Sequence, residues 1–425
     1  MSSNIFHNSR FSRRNFLKFG LGIAGAGLVA PLLGRSNSIM QPDRVVEAAT
    51  PGPNLRLVGT DGWINLPNGT ADAYYPDPMA PAPYNTYIFG FGRVPLAATL
   101  PQRDGYKNHA LAPAPLFYVD EDTDYRVELT NVGLTIRPDL FDSHTLHWHG
   151  FRNAIPFFDG EPSSALSVPI GRTFTYFYHP RDAGTYMYHC HFEDVEHVHM
   201  GMTGVVFVRA KQNQTPLNPG EKYAYNDGDG STAYDREYVL LLTEVWNYAH
   251  WSDAHIQAIE WSTYNPDFYL LNGRVYPDTV LPNYDPDTVY PAGSDGERMR
   301  YQPLSSLIQA NSGERVLLRV VNLGFKHATM TLPGLKMRVV GKDATFLKNS
   351  DGTDLRYDTN TISLGAGESY DAIFTAPTVA AQTTYLIYNR NLTHMSNGGA
   401  PGLGGQMTEI RISPSGIPPQ TGPNA

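Results

Sequence analysis

Tyr188-His189-Cys190-His191, followed by His197, Met200 and Met202, is the stretch on which the fold turns. Upstream stands a second cluster, His144-Thr145-Leu146-His147-Trp148-His149-Gly150. In an extended segment successive side chains point to opposite faces, so Cys190 lies on one face and His189 and His191 on the other. His147 and His149 share a face in the same way. His144, Cys190, His197 and Met202 together offer two imidazoles, a thiolate and a thioether. That soft set selects copper in a blue, type-1 site: thiolate and thioether stabilise Cu(I), and imidazole tolerates Cu(II). The other imidazoles, His147, His149, His189 and His191, can converge on a second site, joined to the first through the backbone at Cys190. A lone buried cysteine or histidine is ordinarily packing; packing does not account for two ordered clusters. Zinc is the competing metal, but its structural sites commonly use paired cysteines, and this chain has one cysteine.

The rest of the chain suits such a site. Its 425 residues leave room for two or three domains, each with its own core. A composition rich in aromatics, Gly and Pro and low in charge points to an all-β protein with many turns. The net charge of −9, with no basic block beyond the N-terminus, argues against nucleic acid as a partner. Ser12-Arg13-Arg14-Asn15-Phe16-Leu17-Lys18 and the apolar run 19–33 read as a twin-arginine signal. That run is too short and glycine-rich to span a bilayer. Residues 1–49 are accordingly set aside as a leader, and the protein is expected in the periplasm or outside the cell.

Strands are expected at 84–91, 116–119, 125–130, 173–178, 185–189 and 204–209, and again at 238–242, 315–322, 337–340, 369–374 and 384–388. A short helix fits within 246–261. The polar stretch 212–235 reads as a linker, and 415–425 as a loose tail. An internal repeat relates Gly201-Met202-Thr203-Gly204 to Gln406-Met407-Thr408-Glu409, Thr185-Tyr186 to Thr384-Tyr385, and Asn131 to Asn322. Two domains follow, at 54–211 and 236–414.

At the two clusters the chain resembles the multicopper oxidases. His-x-x-His-x-His-Gly, and His-Cys-His followed by His and Met five residues apart, are that family's copper signatures. The resemblance implies two cupredoxin-like Greek-key β-sandwich domains. It implies that His144, Cys190, His197 and Met202 hold a type-1 copper, and that His147, His149, His189 and His191 belong to a type-2/type-3-like centre. Two departures stand out. The step from Cys190 to His197 is long, as in two-domain members with the blue copper in the first domain, and it leaves His199 as a competing ligand. The family's trinuclear centre takes eight histidines, of which the first domain offers four. In the second domain, His327-Ala328-Thr329-Met330-Thr331-Leu332 aligns with the first cluster and the stretch around Tyr388-Asn389-Arg390-Asn391 with the second, in a register open by one residue; neither register there contains His or Cys, so this domain is a degenerate copy. His250, His255 and His394 read as structural residues.

The expected function is that of a copper-dependent oxidoreductase. A small-molecule or metal-ion donor would give electrons at the type-1 copper, and dioxygen would take them at the histidine-rich centre. A nitrite-reductase-like enzyme with nitrite as acceptor, and a type-1 electron carrier, are the alternatives. Glu193, Asp194 and Glu196 stand where a metal-ion donor would dock, although acids there also suit a solvated loop. A homo-oligomer, such as a trimer in which His327 of a neighbour helps to complete the second centre, fits the missing ligands.

Overall fold

Alternating apolar side chains stack strands into two pairs of sheets. The computed structural model describes residues 52–69 and 72–425; the expected twin-arginine leader lies outside the described residues. The N-terminal half contains β1 (Leu55–Ile64), β2 (Thr86–Val94), β3 (Phe117–Asp120), β4 (Tyr125–Asn131), β5 (His147–His149), β6 (Thr173–Tyr178), β7 (Gly184–His189) and β8 (Thr203–Arg209). One sheet has the order β2-β1-β4-β6 and the other β3-β8-β7-β5. Leu57, Phe89 and Leu129 from the first meet Phe117, Trp148 and Tyr188 from the second in one buried core. Each large apolar side chain so buried contributes about 1.5–3 kcal/mol.

β1 is the strand that the sequence conceals, because Gly59, Asp61 and Gly62 look like breakers. Gly59 instead serves a close approach: a Cβ there would lie 2.5 Å from Cδ2 of His144. Asp61 is buried and accepts from the amides of Thr135 at 2.7 Å and Ile136 at 2.8 Å.

The expected linker is packed rather than loose. Within it β9 (Lys222–Tyr223) pairs with β10 (Ala233–Tyr234), and Tyr223, Tyr225 and Tyr234 are buried. Tyr225 Oη donates to Asp371 Oδ2 at 2.6 Å.

The C-terminal half contains β11 (Arg236–Val245), β12 (Phe268–Leu271), β13 (Ile308–Asn311), β14 (Arg315–Asn322), β15 (Ala328–Thr331) and β16 (Met337–Lys342). β17 (Thr345–Phe346), β18 (Tyr357–Thr359), β19 (Thr361–Leu364), β20 (Glu368–Thr375), β21 (Thr383–Asn389) and β22 (Met407–Ser413) follow. One sheet runs β12-β11-β14-β20-β16-β17 with β18 against β16, and the other β13-β22-β21-β15-β19. The pairings repeat those of the first half. β1 is parallel to β4 as β11 is to β14, and β3 is parallel to β8 as β13 is to β22. The protein is all-β, two sandwiches of one pattern. The expected helix falls at Asn247–Ala254.

Arg319 ties the halves together. It is fully buried, paired with Glu237 at 3.1 Å and Asp371 at 3.5 Å, and donates to Thr185 Oγ1 of β7 at 3.0 Å. Residues 415–425 correct the expectation of a loose tail. β12 covers β11 only from Leu242 to Val245, which leaves the start of β11 with open backbone groups. The Asn424 side chain meets them, accepting from Val239 N–H at 2.8 Å and donating to Val239 O at 2.9 Å. Gln420 Oε1 accepts from Glu237 N–H at 2.8 Å. Composition alone could not reveal amide side chains taking the place of a strand. No helix among the described residues is long and apolar enough to cross a membrane.

Candidate metal centre

The first constellation forms where β7 ends. Its backbone direction sends Tyr188 and Cys190 into the core and His189 to the other face. Cys190 N–H donates to Met202 O at 3.2 Å, which fixes the thiol beside the start of β8. His144 enters from the approach to β5, held by a bridge to Val168. The long step from Cys190 to His197 is a helix, Asp194–Met200, entered through Glu193 at φ 48 and left through Gly201 at φ 118. That helix swings His197 back over the sulfur. Cys190 Sγ lies 3.2 Å from His197 Nδ1 and 3.9 Å from His144 Nδ1, and the Thr145 amide points at it from 3.4 Å. Cys190, His197 and Met202 are fully buried, and His144 nearly so.

His199 leaves the competition. Residues two apart on a helix point to nearly opposite sides. The His199 ring instead packs against His250, Trp261 and Tyr264, with Nε2 at 3.3 Å from the Trp246 amide.

Burial would raise the Cys190 thiol, but His197 and His144 outweigh it and hold the thiol well below its usual range. Burial would lower His197, yet Cys190 and Asp142 bring it up to about 10. A thiolate among imidazoles in a dry pocket is the donor state that a soft metal needs.

On the opposite face of β5 and β7, His147 stands directly across from His189 in the strand register. One nitrogen each of His147, His149 and His189 lies within 4.8 Å of the others. His191 stands beside them, its ring centroid 4.9 Å from His147 and 5.4 Å from His189. Burial lowers His147 and His149, and brings His189 down to about 3. Neutral imidazoles are ready ligands. A Cβ at Gly367 would lie 2.8 Å from His149 Nε2, so this glycine keeps a cradle open beside the ring. Both donor sets fit copper.

Sequence reasoning missed three groups. Asp142, two residues before the first ligand, gathers with Glu193, Glu196 and His197, its Oδ2 3.6 Å from His197 Nε2. Asp194 stays apart, its carboxylate accepting from the Val195 amide at 3.1 Å. The Asp159 carbonyl lies 2.7 Å from His147 Nδ1. Gly367, in the second sandwich, carries no signal except its place in a glycine-rich turn.

The second sandwich overturns the expected alignment by one residue. Ala328, not His327, stands at the position of His144: it faces Leu364 as His144 faces Val168. Asn389 stands at Cys190 and Gln406, not Met407, at Met202, since Asn389 N–H donates to Gln406 O at 3.0 Å. Thr331, not Met330, stands at His147. A one-residue slip turns every side chain to the wrong face, and burial decides the register. Met330, Ile387 and Ile410 enter the core as Leu146, Tyr188 and Val206 do. Where the first sandwich gathers a thiol, imidazoles and a thioether, Asn389 Nδ2 donates to Gln406 Oε1 at 2.7 Å and lies 3.0 Å from His394 Nδ1. His394 is buried and stacked on Tyr269. His327 is exposed.

Comparison with known proteins agrees with this geometry. Two family profiles, both described as multicopper oxidase, match residues 108–213 and 236–407, together about two thirds of the chain. Copper resistance protein A of Pseudomonas syringae pv. tomato is 25% identical over 406 residues, 89% of this chain and 54% of that protein. Laccase-1 of Emericella nidulans is 32% identical over 173 residues, 38% of this chain and 26% of that protein. This chain spans about a quarter to a half of these relatives' lengths. The blue copper oxidase of Nitrosomonas europaea shares the fold, with a TM-score of 0.57 and 24% identity over 84% of this chain and 85% of its own. Copper is the metal of such proteins, and this chain belongs to the multicopper oxidase family.

Proposed function

We propose that this chain is a copper-dependent oxidoreductase that oxidises a small donor one electron at a time and reduces dioxygen. One observation carries the reading: Cys190 belongs to one donor set while its chain neighbours His189 and His191 belong to the other. Copper held by these residues would supply a one-electron carrier at His144, Cys190, His197 and Met202, and a dioxygen-reducing centre among His147, His149, His189 and His191. The chain supplies the link between them, because Cys190 is bonded through its own backbone to both histidines. His189 Nδ1 also lies 2.8 Å from Cys190 O, a second and shorter connection. Four converging imidazoles support an enzyme over a simple electron carrier.

His197 is fully buried behind a group of carboxylates, which a donor would meet first. Its Nε2 faces Asp142, with Glu193 and Glu196 alongside. Carboxylates there would attract a cationic donor, so a metal ion suits this entrance better than an acidic organic one. We also assign the chain two domains, at 54–211 and 236–414, export by the twin-arginine pathway, and assembly as a homo-oligomer, a trimer being the simplest ring.

The test is direct. The copper-loaded protein should be blue and should consume dioxygen with a one-electron donor. Cys190→Ser should lose both colour and turnover while keeping its far-UV circular dichroism. A Cys190→Ser protein that stayed blue would overturn the assignment. Replacing Arg13 and Arg14 by Lys should retain the precursor in the cell; normal export would refute the leader reading.

A further inference from the structure

We propose that this chain holds a binding pocket for a small aromatic carboxylate, apart from both donor sets and from the acids around His197. A groove of about 480 Å³ lies between the loop that follows β5 and the end of β6, within the size range of small-molecule sites. Ile155, Phe158 and Phe177 give it apolar walls, and Arg152, Arg181 and His179 stand around them. Phe158 and Phe177 are half-buried and meet edge to face, their ring centroids 6.3 Å apart. Ile155 is left exposed beside them.

The charges select the ligand. No carboxylate among the described residues lines this groove, although the chain as a whole carries −9. Among the described residues the Arg181 guanidinium makes no ion pair. Arg152 Nε meets Asp182 only at 3.8 Å, with both side chains exposed, and its Nη2 reaches the Ala344 carbonyl at 3.4 Å. Asp182 itself lines the neighbouring groove, with Glu121. Two guanidinium forks beside an apolar wall suit a planar carboxylate, which one fork can take through two N–H donors. A ring attached to that carboxylate would cover Ile155, Phe158 and Phe177, whereas a bare anion would leave them in water. The backbone fixes this arrangement: Asn153 Oδ1 accepts from the Arg181 backbone N–H at 2.9 Å, tying the loop to the turn that carries Arg181. The same loop leaves His149 and returns at Asp159, whose carbonyl meets His147 Nδ1 at 2.7 Å. A bound acid would therefore brace a segment anchored at both ends beside the histidine centre.

Benzoate, titrated calorimetrically into the copper-loaded full chain, tests this. It should bind once per chain, and with the same affinity to the copper-free chain, because no copper donor lines the groove. Benzamide keeps the ring without the charge, and acetate the charge without the ring; each should bind about tenfold more weakly or worse. Arg152→Ala and Arg181→Ala, both at exposed positions, should each weaken benzoate about tenfold. Hydrogen exchange should slow on binding at residues 150–158 and 179–182. No binding, unchanged affinity in both arginine variants, or protection elsewhere in the chain would overturn the pocket. So would binding that appears only with copper, since that would be coordination to the metal. Acetate or inorganic phosphate binding as tightly as benzoate would overturn the aromatic ligand class. None of these readings depends on colour or turnover, so failure here leaves the copper reading standing.

Discussion

The ends of β7 and β21 are the same place in two copies of one fold, and they hold opposite contents. Both are reached through an asparagine, Asn131 or Asn322, whose amide donates to loop carbonyls. Both are braced by a buried acid, Asp61 or Glu244, that accepts two successive loop amides. In the first sandwich the socket presents His144, Cys190 and Met202; in the second, Ala328, Asn389 and Gln406. The second socket satisfies its polar groups internally, with Asn389 bonded to Gln406 and set against His394. The first points its donors at one another instead, with His197 Nδ1 3.2 Å and His144 Nδ1 3.9 Å from the Cys190 sulfur. A socket of this shape therefore belongs to the fold, while metal binding belongs to a few side chains within it. Buried polar groups must find partners one way or the other: an ion would serve in the first copy, and amides serve in its twin.

The largest test of that contrast is all or nothing. Cys190→Ser should reduce colour and turnover to background, whereas Asn389→Ser, at the equivalent position, should leave both intact. Absorption and dioxygen uptake decide it. Stability should show the reverse emphasis. Leu242→Ala, which empties the core facing Ala328, should cost about 2–5 kcal/mol in denaturant unfolding with no change of colour. Asn389→Ala should cost less, about 1–3 kcal/mol, for leaving Gln406 and His394 short of a partner. A colour change in either variant would mean that the sockets are coupled rather than independent.

The first socket was legible in the sequence because strand alternation converts spacing into faces. His189, Cys190 and His191 need no tertiary information to be sorted. Strands with uninterrupted β-branched and aromatic runs, such as β6 and β14, were legible for the same reason. β1 was not, since Gly59 answers to His144, a residue that is far away in sequence. The second socket was read one residue out of register, because His327 and Met407 mimic ligands by identity while their side chains lie on the wrong faces. Asp142 was missed because its partner, His197, reaches it only through the fold of an intervening helix. The tail at Gln420 and Asn424 was misread because its contribution is side-chain hydrogen bonding to an open strand edge, which leaves no periodic pattern.

The subtlest prediction is a gain rather than a loss. The register makes Gly59 and Leu242 equivalent, since Gly59 faces Asn131 and Leu242 faces Asn322 in their parallel pairs. Gly59 leaves room for the His144 ring, whose Cδ2 would lie 2.5 Å from an added Cβ. Leu242 and Ala328 share one buried core. The two copies thus exchange bulk across the socket: small strand residue with large ligand, large strand residue with small neighbour. Grafting Ala328→His, Asn389→Cys and Gln406→Met into the second sandwich should therefore fail to create a second blue centre, because the introduced imidazole would meet the Leu242 side chain. Adding Leu242→Gly should admit the ring and yield a second blue copper at partial occupancy, read as extra absorption per chain in a Cys190→Ser background. In the first sandwich Gly59→Ala should displace His144 and shift the blue band without abolishing it. Equal colour from the graft with and without Leu242→Gly would show that strand bulk does not govern the socket, and that the ligands alone decide it.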